Sequence, residues 1–341
     1  MRNGIIAAIG LALLSAASAR AESVTYATDG GTILDVMKEA LLRPAEKKLG
    51  IQVSPAPNAD RYPVVKAQVG SGKVLWDVVD FAAGYCARGQ QENLFEKLDF
   101  ALIPNAKSVP AAFKDDYSVG LAAYATVLAY NTKKFGDNGP KTWAEFWDVK
   151  KFPGKRALRN YARPTLEIAL LADGVAPDKL YPLDVDRAYA KLEEIKPHVS
   201  VWWTSGAQSN QLLNDGEVDL IALWDGRAAS AIEAGAPATF TRNQAILENT
   251  CIAVLRGTEN KQAAMKFVNE LLDPKGQAKW ATDYVTGPLN VEFAAHMEPG
   301  RLAKLATAPE NLKVEVPLSA KWWASPEGEK AEQRWLSFMQ K

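Results

Sequence analysis

Five aromatic residues, Tyr85, Tyr161, Trp202, Trp203 and Trp224, fall at the ends of predicted strands or in the loops beside them. Asp29, Asp80, Arg163, Asp225, Arg227, Glu248 and Asn249 occupy positions of the same kind. Aromatic rings offer contact area and attract cations through their faces, and a few charges fix orientation. This combination points to the holding of a small charged molecule rather than to bond-making. Trp224 and Asp225 stand together at a strand end, immediately before Gly226. Two loops belong to the same set: 28–32, with Asp29 and Gly30, and 80–88, with Tyr85. Ser205, in the turn Thr204-Ser205-Gly206, is placed to cap the helix that follows.

Signals for catalysis are weak by comparison. Gly70-Ser71-Gly72-Lys73 resembles the end of a phosphate loop, but position 67 is Ala and Val74 replaces the hydroxyl that would hold magnesium. His198 and His296 are far apart and lack an acidic ligand cluster, so neither a metal site nor a Ser-His-Asp triad is supported. No dinucleotide fingerprint or nucleophile elbow occurs. No cofactor and no metal are expected.

The elements that must position these residues alternate. Strands are expected at 24–27, 51–55 and 76–81, with helices over 33–49 and near 63–69. Such alternation implies an α/β domain with a largely parallel sheet, whose ligands bind beyond the carboxyl ends of the strands. A long strand is expected over 117–131 and short ones at 201–203, 218–224 and 250–255. Helices follow over 185–196, 207–213, 263–272 and 321–339. No linker interrupts the chain, which suggests domains joined by crossing strands.

The first residues have the pattern of an export leader. Arg2 precedes an apolar run over 4–17, and Ala19 and Ala21 frame a cleavage site, so 1–21 is expected to be a signal peptide. Without Arg2 and Arg20, 38 basic residues face 40 acidic ones, a net of −2, with no charged block. That balance argues against nucleic acid or a membrane surface as partner. About 320 residues exceed one ordinary core and imply two domains. Cys86 and Cys251 are either a disulfide, which an oxidising compartment permits, or two buried thiols.

At this point the sequence resembles a known family. Trp76-Asp77-Val78-Val79, the stretch 124–131 (YATVLAYN), the segment Thr142-Trp143-Ala144-Glu145-Phe146-Trp147-Asp148 with Phe152-Pro153-Gly154-Lys155, and Leu223-Trp224-Asp225-Gly226-Arg227-Ala228 are similar to segments of the periplasmic spermidine/putrescine-binding proteins of ABC transporters. The resemblance implies a two-lobed α/β periplasmic-binding-protein fold of the class II type, with two crossing hinge strands. Lobe one would comprise 22–124 and 251–300, and lobe two 125–250 and 301–341. It implies a monomeric periplasmic receptor that closes on its solute and docks on permease subunits in the inner membrane. A polyamine is the solute the family suggests. Where polyamine binders carry carboxylates, however, this chain has Tyr161, Pro164 and Asn249, and Arg163 is added. An arginine fork favours a carboxylate, so an amino acid, opine-like or other zwitterionic solute is the alternative. An enzyme on the same scaffold is a second alternative, and a ferric-ion receptor would want a tyrosine pair that is not seen.

Overall fold

The computed structural model describes residues 22–340; the expected leader over 1–21 lies outside them. Among the described residues the strands form one ten-stranded sheet. They are β1 (Ser23–Thr28), β2 (Gln52–Pro57), β3 (Val78–Ala82), β4 (Val119–Asn131), β5 (Arg156–Arg159), β6 (Val199–Trp203), β7 (Leu220–Trp224), β8 (Ala238–Val254), β9 (Gly287–Pro288) and β10 (Val316–Pro317). The order runs β2-β1-β3-β8-β4-β7-β5-β6, with β10 beside β8 and β9 beside β4. β1, β2 and β3 are parallel, as are β5, β6 and β7. Between these halves β4 and β8 run antiparallel to each other. β8 also pairs with β3, and β4 with β7. Each therefore passes from one half to the other. The sheet is mixed rather than largely parallel: two lobes built of parallel strands are joined by two crossing strands.

Strand alternation explains the packing. In β4, Leu128 and Tyr130 enter one core with Trp143, Phe146, Leu166 and Leu192. Ala125, Val127 and Ala129 enter the opposite one with Leu212, Ala228 and Ala231. In β3, Val78 packs with Met37, Leu41, Phe267 and Leu271, whereas Val79 and Phe81 pack with Tyr62, Val65 and Cys86. Both faces of each half are covered by helices, which is why these strands are apolar on both sides.

Several expected elements differ in extent. The helix over 33–49 is Thr32–Met37 and Arg43–Leu49 with a π turn, Lys38–Leu42, between them. Pro44 has no N–H to return to the Ala40 carbonyl, so the ladder widens there. The C-terminal helix is two pieces, Ala320–Trp323 and Pro326–Gln340. Pro326 cannot continue the first piece but suits the opening of the second. β8 is far longer than the stretch 250–255, because its polar half is held by pairing with β4. β5 and the helix Ala162–Ala172 have no counterpart among the expected elements.

The C-terminal segment is anchored through a carboxyl. Glu167 is wholly buried, and its Oε1 accepts from Tyr181 Oη at 2.6 Å and from Trp323 Nε1 at 2.7 Å. Burial, opposed by those two hydrogen bonds, pushes this carboxyl up to about 7. A raised acid takes up its proton more readily in the folded state. Its contribution to stability is therefore complete below the ordinary glutamate range and is lost as pH rises to about 7. Glu167→Gln should remove that loss, on the order of 3 kcal/mol. Urea unfolding at pH 5 and pH 7.5 should show the variant gaining on the parent at the higher pH. Equal gaps at both pH values would refute the assignment.

Candidate functional site

A cavity of about 280 Å³ lies between the lobes. Its first-lobe wall comes from the loop after β1, from the start of the helix Arg61–Ser71, and from β3 with the helix Ala83–Gln91 that follows it. Arg61 organises this wall. Its Nη2 is 2.9 Å from Asp80 Oδ1, its Nη1 is 3.1 Å from Asp29 Oδ1, and its Nε donates to the Asp80 carbonyl at 2.9 Å. Tyr26 and Thr28 donate to Asp80 Oδ2 at 2.5 and 2.6 Å. Burial raises the Asp80 carboxyl, against the pull of Arg61. Its oxygens are consumed inside the protein. Asp29 remains about a third exposed, with its side chain at 31%.

The opposite wall comes from the ends of β5 and β7 and from the turn after β6. Arg159, the last residue of β5, is half-buried under aromatic rings. Its guanidinium carbon lies 4.7 Å from the Tyr161 ring centre, 5.0 Å from that of Trp224 and 5.7 Å from that of Trp203. Among the described residues Arg159 forms no salt bridge and no side-chain hydrogen bond. Arg163 is buried, with Nε 3.6 Å from Glu248 Oε1 and the guanidinium 4.6 Å from the Tyr85 ring centre, across the cleft. Burial raises the Glu248 carboxyl, and Arg163 opposes the rise. Arg227 also crosses the cleft: its Nη2 donates to the Gly30 carbonyl at 2.9 Å. The lobes are thus closed on each other. Gly206 permits this wall, since a Cβ there would sit 2.6 Å from the Trp224 ring and 2.7 Å from Arg227 Nε.

Of the residues singled out from the sequence, Asp29, Asp80, Tyr85, Tyr161, Arg163, Ser205, Trp224, Asp225 and Arg227 line the cavity. Gly30 is beside the lining, its carbonyl taken by Arg227. Four others lie outside the lining. Trp203 is wholly buried and donates Nε1 to the Ala222 carbonyl at 2.9 Å, so it backs the wall as core. Glu248 stands behind Arg163, and Asn249 lies on β8 opposite Ala123. Trp202 faces away, against Trp335 and Phe338. Ser205 caps its helix, accepting from Gln208 N at 3.2 Å. Asp225 lines the cavity, but its Oδ1 accepts from the backbone of Ala125 and Gly226, and its Oδ2 lies 3.0 Å from Arg242. It holds the hinge strands to the helix Asp225–Glu233. Cys86 and Cys251 are bonded.

Sequence reasoning did not single out Arg61, Arg159, Tyr62, Tyr124, Trp280 and Tyr284, all of which line the cavity. Arg159 had a readable signal, a cation directly after the apolar pair Ala157-Leu158. For Arg61 and Trp280 the local pattern is that of ordinary helices.

Among the described residues, several buried lining donors have no hydrogen-bond partner: Trp224 Nε1, Arg227 Nε, Arg163 Nε and Trp280 Nε1. Such groups carry a desolvation cost until an acceptor meets them. The arrangement is suited to enclosing a small polar molecule that supplies acceptor oxygens.

Comparison with known proteins agrees with this geometry. Residues 40–312 match the family described as bacterial extracellular solute-binding protein. The chain is 37% identical to the gamma-aminobutyric acid-binding protein of Pseudomonas aeruginosa over 95% of its own length and 93% of the relative. An ABC transporter substrate-binding protein from Bradyrhizobium japonicum is 51% identical and superposes with a TM-score of 0.89, covering 94% of this chain and 100% of that one. The PBP MotA of A. tumefaciens B6, solved in complex with glucopine, is 36% identical with a TM-score of 0.87, covering 93% and 99%. The fold expected from the sequence is the fold of these receptors, and the resemblance to polyamine binders holds at the level of their common family. The chain belongs to the bacterial extracellular solute-binding proteins, non-enzymatic receptors of ABC transporters.

Proposed function

We propose that this chain is the periplasmic receptor of an importer and that its solute is a small zwitterion, an amino acid of the γ-aminobutyrate kind or an opine. One observation carries the reading: Arg159 faces the cavity and forms no salt bridge with a carboxylate of the described residues. An unpaired guanidinium in a half-buried aromatic setting is complementary to a carboxylate brought by the solute. The charge balance supports the same solute. The first-lobe lining has Arg61 against Asp29, Asp60 and Asp80; the second-lobe lining has Arg159, Arg163 and Arg227 against Asp225. Arg242 neutralises Asp225 and Glu248 neutralises Arg163. The walls are opposite in sign and equal in size. A zwitterion matches a neutral, polarised cavity, whereas a polyamine adds only positive charge beside arginines. That two relatives are described with γ-aminobutyrate and with glucopine supports the zwitterion over the polyamine.

The lobe boundaries suggested by the sequence, 22–124 with 251–300 and 125–250 with 301–341, are carried into this reading. Closure about β4 and β8 would present one surface to the permease subunits.

Thermal-shift and calorimetric titration against γ-aminobutyrate, glucopine, putrescine and spermidine tests the proposal. A solute at a hundred times its Kd stabilises by about 2.7 kcal/mol. The zwitterions should raise the melting temperature and the polyamines should not. Stabilisation by putrescine or spermidine alone would refute the reading.

A further inference from the structure

We infer that Asp29 is the ammonium-receiving group of the site, so that the solute's two charges bind opposite lobes. This rests on the zwitterion reading above. The cavity's acceptors narrow by elimination. Asp80 is consumed by Arg61, Tyr26 and Thr28. Asp225 is consumed by Arg242 and two backbone N–H groups. Asn160 Oδ1 accepts from Trp335 at 2.9 Å. Thr250 directs its hydroxyl to the Ala122 carbonyl at 3.1 Å. Asp60 is exposed.

Asp29 is different. Its partner Arg61 is shared with Asp80, at 3.1 and 3.5 Å from the two Asp29 oxygens. A carboxylate has about four lone-pair sites, so half of its accepting capacity is open, on a side chain that lines the cavity and is 31% exposed. Among the described residues, the unpartnered buried groups that line the cavity are the donors Trp224 Nε1, Trp280 Nε1, Arg227 Nε and Arg163 Nε and the uncharged Tyr62 hydroxyl, while the Glu248 oxygens, also without a hydrogen bond, lie against Arg163 and outside the lining. The donors suit the solute's oxygens and leave its ammonium to Asp29.

The placement has a mechanical consequence. Asp29 belongs to the loop after β1, and Arg159 to the end of β5, in the other lobe. Arg227 reaches Gly30, the residue beside Asp29, only when the lobes are together. A solute with both charges ties the walls to each other, whereas one with a single charge binds one wall. Only the former has a large differential affinity for the closed state, and that difference is what shifts the population.

The test compares γ-aminobutyrate with butyrate, which lacks the ammonium, and butylamine, which lacks the carboxylate. Each is titrated by calorimetry into the full chain and into Asp29→Asn, with glucopine as a second zwitterion. In the parent, γ-aminobutyrate should bind at least about 30-fold more tightly than either analogue, as expected of a lost charged partner. In Asp29→Asn the preference over butyrate should collapse to within about threefold, because the ammonium no longer contributes. Circular dichroism and the melting temperature of the unliganded variant establish that it is folded; if it is not, Asp29→Glu, which keeps the charge, should retain the preference. Undiminished preference for γ-aminobutyrate and glucopine in a folded Asp29→Asn would overturn the assignment while leaving the zwitterion reading intact. Failure of the parent to bind either zwitterion would instead remove that reading, and this inference with it.

Discussion

Arg159→Ala should weaken solute binding at least about 30-fold while leaving the fold unharmed. Loss of a charge-assisted anchor inside a closed cleft costs about 2–4 kcal/mol, roughly 30- to 1000-fold in Kd. The fold should not suffer, because Arg159 leaves no partner behind: what is lost is its contact with Tyr161, Trp203 and Trp224. Arg159→Lys should recover only part of the affinity, since an ammonium has neither the planar fork nor the stacking surface. Arg163 gives the opposing control. Its removal strands the buried Glu248 carboxylate, which costs about 3–5 kcal/mol of stability. Calorimetry and thermal melts on the two alanine variants separate these roles. Solute affinity within about threefold of the parent in Arg159→Ala would sink the zwitterion proposal at its anchor, since a lost charged partner costs far more than that.

The second large effect concerns the disulfide. Cys86 lies in the helix Ala83–Gln91 and Cys251 in β8, 165 residues apart in the chain. Both are buried among Phe81, Phe95 and Tyr62 in one apolar cluster. Closing so long a loop restricts the unfolded chain strongly, and a native bond of this kind is worth about 2–5 kcal/mol. Reduction, or the Cys86→Ser and Cys251→Ser double variant, should lower the melting temperature by several degrees. Scanning calorimetry with and without a thiol reductant measures this directly. A functional loss should accompany it, because Cys251 lies on the crossing strand that carries Glu248, and Cys86 adjoins Tyr85, on which Arg163 rests. Identical melting temperatures in both states would mean that the bond contributes nothing to stability.

Much of the architecture was legible in the residues. The alternation of apolar strands with amphipathic helices implied an α/β chain, and the absence of a linker implied lobes joined by strands. The site's neighbourhood was legible too, since Asp29, Tyr85, Tyr161 and Trp224 mark strand ends and the loops that follow. What each residue does there was less accessible. Asp225 has the look of a solute anchor at a strand end, yet it spends its carboxylate on Arg242 and two backbone amides. Trp203, beside it in type and setting, turned into the core. Arg159, flanked by the residues that drew attention, is a cation that no salt bridge of the described residues engages.

The division has a physical cause. Periodicity and capping act within a few residues of one element, so the sequence by itself determined most of the elements, their apolar faces and the loops at their ends, though not β5 or the helix Ala162–Ala172. Charge pairing acts through space: Arg61 with Asp80, Arg163 with Glu248 and Asp225 with Arg242 join residues on separate elements. Only tertiary structure decides which carboxylates those guanidiniums neutralise. The solute answers to the charges that remain.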